Sequence, residues 1–131
     1  MAARVLSGES AGVVTQDNLW RDALRCLASM AASGPASPET LRAYATGLHG
    51  LAALAREDGV GAWQDVARRH VFEWVKGMRQ RGLATRTIVC RLAAAHAVAH
   101  YLERRGEADG RELQDRWRLD LRPPPVRLPR V

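Results

Sequence analysis

Apolar residues in this 131-residue chain recur with the period of a helix, and no convincing run alternates as a strand does. Leu19, Ala23, Leu24, Leu27 and Met30 share one side of a first segment. Asp17 or Asn18 can cap it, and "SGPA" breaks it after about Ala32. The second segment is "SPETLRAYATGLHGLAALARE", residues 37–57. Ser37 stands at its cap and Pro38 at the first helical position, where a missing N–H costs nothing. Leu41, Tyr44, Leu48, Leu51 and Ala55 form its stripe, while Arg42, Thr46, His49 and Arg56 occupy the other side. A third helix is predicted over 68–81, with Val71, Trp74, Val75 and Met78 at i, i+3, i+4 and i+7. Gly82 suits a left-handed terminator, and Leu83 can fold back onto the last turn. The fourth helix, about Thr85 to Arg105, carries Ile88, Leu92, Ala95, Ala99 and Leu102 and stops at Gly106. "EADGRELQDRW" can add a short helix, and Pro123–Pro125 exclude one past Arg122.

This pattern predicts an all-α fold of four to five helices. Residues 1–16 are small and polar with no sustained period, and are expected to form a flexible arm. Residues 17–107 are the helical domain, and 108–131 read as a basic Pro/Arg-rich linker or tail, extended and semi-rigid over 116–131. Hydrophobic residues make up 47% of the chain and aromatics only 5%, so Ala and Leu must do much of the packing. The formal charge is +6, and the basic residues are 19 Arg and one Lys. That excess suggests a polyanionic partner such as nucleic acid, although a solvated arginine surface would give the same count. No apolar run approaches the ~20 residues of a membrane span, and no leader is visible at the N-terminus. Cys26 and Cys90 stand far apart and read as reduced thiols. The expectation is a cytoplasmic, monomeric chain with no membrane partner.

Sequence signs of catalysis are few. Ser7, Ser10, Ser29, Ser33 and Ser37 lack a G-x-S-x-G setting, and no glycine-rich phosphate loop is present. His96 and His100 lie at i, i+4 with Glu103 one turn on, but a zinc protease would need Glu where Ala97 stands. No metal or cofactor is expected. Glu57–Asp58 read as a solvated helix end, Trp74 as core, and Trp63 as packing beneath an interhelical loop. On the fourth helix, Arg86, Cys90, Ala93, Ala97 and Arg104 share a face away from Ile88 and Leu92. Ala93 and Ala97 would admit a close backbone, either a neighbouring helix or a DNA strand bound by arginines at both ends of the face.

Three pieces in order, S-P-E-T-L-R-A-Y, R-Q-R-G-L-A-T-R-T-I and C-R-L-A-A-A-H, followed by "RPPPVRLPR", resemble the N-terminal core-binding domain of tyrosine recombinases, the phage integrases and Xer-type enzymes. The resemblance covers about residues 17–106 plus the tail. It implies a compact SAM-like orthogonal bundle that forms one half of a clamp on duplex DNA. It also implies that the second and fourth helices lie against the major groove. Carried over, Thr40, Arg42, Ala43 and Thr46 would face DNA from the second helix, and Arg86, Thr87, Cys90 and Arg91 from the fourth. Arg122 and Arg127 of the tail would follow the backbone. Three departures stand out: His96 replaces a frequent Arg, Ala84 replaces a Ser before the fourth helix, and an N-P-A after it is missing.

The family's catalytic domain carries an H-x-x-R pair and a Tyr nucleophile. None of His49, His70, His96 or His100 has Arg three residues later, and Tyr44 and Tyr101 lie inside predicted helices. The chain is therefore expected to cleave nothing by itself, and in the parent enzyme to meet other recombinase protomers on DNA. The rival expectation is a helical protein–protein adaptor with no DNA role, since one fold serves both uses.

Overall fold

The structure, a computed structural model, describes residues 8–34 and 36–121, with side chains from Asn18 onward. Five helices follow one another: α1 (Gly8–Ser33), α2 (Pro38–Glu57), α3 (Arg68–Gln80), α4 (Thr85–Arg104) and α5 (Gly110–Arg116). A single 3₁₀ turn, Trp63–Asp65, lies between α2 and α3, and the described residues contain no strand. The core forms where α1, α2 and α4 meet, with α3 and α5 closing its sides.

Local chemistry explains the boundaries. Ser37 is extended at φ −76°, and its Oγ accepts the Thr40 N–H at 3.1 Å, so the cap read from the sequence is formed. Gly82 and Gly106 sit at φ +80° and +71°, where an L side chain would be strained. Beyond each, an amide reaches back into the finished helix: Leu83 N–H to the Met78 carbonyl, and Glu107 N–H to that of Leu102. α1 begins at Gly8, nine residues before the predicted cap, so the expected arm of 1–16 is helical where it is described. Adding residues to a helix already nucleated by a packed face costs little each, even without an apolar period.

The predicted stripes of α3 and α4 are buried throughout. In α1 the buried set is Leu19, Ala23, Cys26 and Leu27, while Leu24 is 45% exposed. Cys26 lies against α4, its Sγ donating to the Ala97 carbonyl at 3.5 Å. Burial pushes its thiol up to about 11.

The packed bundle continues beyond residue 107. Leu113 and Trp117 are buried in the same core as the other helices. Gly110 sits so close to α4 that an added Cβ would lie 2.8 Å from the Ala99 carbonyl oxygen. Asp109 caps α5, accepting the Arg111 and Glu112 amides at 3.1 Å. Leu113 and Trp117, spaced i, i+4, complete the bundle, so the segment starting at 108 is no free tail up to Leu121.

Candidate nucleic-acid interface

α2 and α4 cross at a glycine. A Cβ on Gly47 would lie 2.8 Å from Cγ and 3.0 Å from Cβ of Arg91, so the arginine stem is seated on bare backbone. One turn along, Gly50 faces the Trp74 indole nitrogen of α3, 3.3 Å from where its Cβ would be. Glycine inside a helix costs ~1 kcal/mol relative to alanine. Two of them three residues apart on α2 mark the approach of two neighbouring helices, a signal that the stretch "ATGLHGLA" carries and that a reading of stripes alone passes over. Near the crossing, burial and then the Cys90 thiol push the Tyr44 hydroxyl upward in pKa.

From this crossing α2 runs back to Thr46, Ala43, Arg42 and Thr40, and α4 to Cys90, Thr87 and Arg86. Arg42 is exposed, with a long 3.6 Å pair to Glu39. Arg86 is exposed and has no polar partner among the described residues. Ala43, Thr87 and Cys90 are half-buried. The two hydroxyls on α2 are already occupied locally. Thr40 Oγ1 shares a 3.0 Å hydrogen bond with Ser37 Oγ, and Thr46 Oγ1 donates to the Arg42 carbonyl at 3.0 Å. Arg91 is half-buried between Gly47 and Met78, its Nη1 3.9 Å from the Met78 sulfur and its Nε buried with no partner. The polar side of α2 is thus divided. Arg42 and Thr46 face solvent, whereas His49 meets the Trp20 ring of α1 edge-on, centroids 5.1 Å apart. Arg122 and Arg127 lie outside the described residues.

α4 begins without a side-chain cap, as Ala84 can offer none and Thr85 does not substitute. Its first amides are free to meet an anion from solvent. His96 lines a shallow apolar groove with Val89, Leu92, Ala93, Leu119 and Leu121. Its Nε2 is buried without a partner. Burial, then Arg118 and His100, lowers its pKa from the usual 6.5. His100 instead meets Gln114 at 3.3 Å. Among the described residues no three His, Cys, Asp or Glu side chains converge to hold a metal, and no helix is long and apolar enough to cross a membrane.

A second polar cluster joins α2 to α3, and the sequence reading missed it. His70 is 2% exposed. Its Nδ1 accepts the Ala67 N–H at 2.9 Å, taking the part that Glu plays in a capping box. Nε2 therefore carries the proton and donates to Asp58 Oδ2 at 2.8 Å. Arg69 reaches the same oxygen at 2.6 Å. The His70 hydrogen bond and then Arg69 hold the Asp58 carboxyl below its usual range. Asp58 is exposed, as a solvated helix end should be, and it also latches two helix ends together. The spacing 70, 71, 74, 75, 78 would have placed His70 on the buried face.

Known proteins bear on this arrangement. The profile of the phage integrase N-terminal SAM-like domain matches residues 27–106. A tyrosine recombinase XerC from Chromohalobacter salexigens is 38% identical over 77 residues, covering 59% of this chain and 26% of that protein. The chain thus matches about a quarter of the length of this curated relative. No solved structure gives a significant match. With five helices in a SAM-like bundle and the family profile spanning α2 to α4, the chain belongs to the phage integrase N-terminal SAM-like family, the amino-terminal domain of tyrosine recombinases.

Proposed function

We propose that this domain grips duplex DNA with the surface shared by α2 and α4, as one half of a clamp. Arg42 and Arg86 bind phosphates, Ala43, Thr46, Thr87 and Cys90 lie nearest the groove, and Thr40 and Arg91 hold the ends of that surface in place. The observation that carries the reading is the Gly47–Arg91 crossing. It makes one surface of two helices and leaves Arg86 without an internal partner. The uncapped start of α4 adds amides beside Arg86. Strand exchange through a 3′-phosphotyrosyl intermediate, among several protomers on DNA in the cytoplasm, belongs in this reading to the whole enzyme, and the domain itself cleaves nothing.

The adaptor reading is not favoured. Among the described residues the exposed large apolar side chains are Leu24, Phe72 and Val89, few in number against the arginines of the surface. Titration with a short duplex at several salt concentrations tests the proposal. Binding is expected to be weak and largely sequence-independent, and to fall steeply with salt as counterions are released. Absence of any binding at low salt overturns it.

A further inference from the structure

The last residues of α5 and the fifth residue after it are both tied to α3. Arg68, the first residue of α3, donates from Nε to the Arg116 carbonyl and from Nη2 to the Asp115 carbonyl, both at 3.0 Å. Arg79, in the last turn, donates from Nη2 to the Leu121 carbonyl at 3.2 Å. Positions 68, 72, 75 and 79 fall on one face of a helix, at i, i+4, i+7 and i+11. From 68 to 79 a helix rises ~16 Å, and five extended steps from 116 to 121 span at most ~17 Å. Segment 117–121 therefore runs along α3 in the same direction as the helix. Trp117 fixes its beginning: the ring is buried and Nε1 donates to the Val66 carbonyl at 2.8 Å. Leu119 and Leu121 are half-buried where they line the groove with Val89, Leu92 and Ala93 of α4.

We infer that residues 117–121 are a strap held by Arg68 and Arg79, which sets the point from which the following chain departs, beside the first turns of α4. Arg68 and Arg79 are positioning residues that act through backbone carbonyls. This inference rests on the proposed DNA reading only in making that point of departure lie on the DNA side. Three of the basic residues that composition would credit to a polyanion, Arg68, Arg79 and Arg116, spend donors on the protein's own carbonyls, the first two while still exposed.

The test is ¹⁵N relaxation on the full chain. In the wild type, amides 118–121 are expected to be as ordered as the helices, with order parameters near ~0.85. Arg79→Ala should release 120–121 toward values below about 0.6, while the shifts of α1 and α2 amides stay in place. Arg79→Lys, which still offers a donor, should restore order in part. A strap already mobile in the wild type, or equally ordered in Arg79→Ala, overturns the inference. Arg79→Ala should also leave the salt slope of DNA binding unchanged. A slope reduced by about one marks a direct grip on phosphate and overturns the positioning role. Nitroxide-labelled duplex should broaden 119–121 together with 42 and 86. Broadening of 42 and 86 alone overturns the DNA-side departure. No broadening anywhere overturns the DNA reading and that side with it, while the relaxation data still decide whether the strap exists.

Discussion

Arginines in two parts of this domain behave in opposite ways. At the corner made by the 3₁₀ turn, the start of α3 and α5, their donors end on the protein itself. Arg116 Nη1 donates to the carbonyls of Gln64 at 2.6 Å and Val66 at 3.2 Å, while its Nε and Nη2 grip both Glu112 oxygens. Arg68 and Arg69 beside it are likewise engaged with carbonyls and a carboxylate. On the α2–α4 surface Arg86 has no such partner, and Arg42 has only a long, solvent-exposed pair. The difference is one of available acceptors. The corner is made of helix ends and a short 3₁₀ turn whose carbonyls lack helical partners, whereas α2 and α4 satisfy their own along their lengths. A planar guanidinium with five donors suits such a corner. Net charge therefore overstates the part of this surface that can meet a polyanion.

If the corner is cohesive, breaking it should cost most. Trp117 is fully buried, edge-on to Trp63 at 6.3 Å, and bonded to the Val66 carbonyl. Trp117→Ala is expected to lose roughly 3–5 kcal/mol in chemical denaturation, the range for large aromatic truncations. A loss below about 1 kcal/mol would return α5 to the status of a tail. Arg116→Ala should follow at roughly 1–3 kcal/mol, since it leaves the partly buried Gln64 carbonyl without that donor.

On the other surface the sensitive residue is the glycine rather than the arginines. Gly47→Ala places a methyl group 2.8 Å from Cγ and 3.0 Å from Cβ of Arg91, the part of the stem fixed by its own backbone, so rotation of the far end gives no relief. The expected cost is roughly 1–3 kcal/mol from overpacking, partly offset by the better helix propensity of alanine. DNA affinity should fall as well, because the two helices can no longer meet at the same separation. A fully stable Gly47→Ala variant with unchanged DNA affinity would show that the crossing does not set the surface.

The sequence made most of this comparison visible, but unevenly. The stripe Val71, Trp74, Val75 and Met78 of α3 predicts burial because charged and polar residues fill much of the rest of that helix and few apolar ones compete with it. In α1 a wide arc offered both Leu24 and Cys26, and hydrophobicity ranks leucine first. The choice was made by α4, whose Ala-rich side leaves room for a small thiol and an open carbonyl at Ala97. His70, Arg116 and Arg68 were hidden for another reason. Their roles depend on acceptors supplied from residues 12 to 52 positions away, which no local period encodes. Of the candidate interface, the solvent-facing Arg42 and Arg86 were legible from the stripes alone, while the Gly47–Arg91 contact required the fold.

A pH experiment separates the groove beside α4 from the exposed surface. Burial lowers the folded-state pKa of His96 below 6.5. The neutral ring is favoured in the folded protein, and protonation is easier once the chain unfolds. Its contribution to stability is therefore full above pH ~6.5 and declines as pH falls from there through the folded pKa. His96→Leu, which keeps the groove apolar, should remove that part of the decline. The difference between wild type and variant should be flat above pH ~7 and slope below it. A slope of the opposite sign would mean that the ring is stabilised in its charged form.

The smallest expected change in stability is at the two arginines that matter most to the proposed function. Arg42 and Arg86 are exposed and lie off the core stripes of their helices. Truncation to alanine at such positions usually shifts stability by about 0.5 kcal/mol or less. The Arg42–Glu39 pair adds little at its exposure. Each substitution should nevertheless reduce the salt dependence of DNA binding by about one unit for every phosphate the side chain had neutralised, evenly across sequences. The double variant should be close to additive, as the side chains belong to different helices and share no partner. Arg68→Ala supplies the opposite profile, with measurable destabilisation and an unchanged slope. Were Arg42→Ala and Arg86→Ala to leave the slope intact while Arg68→Ala lowered it, the two regions would have to exchange roles, and the polyanion would bind at the α3–α5 corner instead.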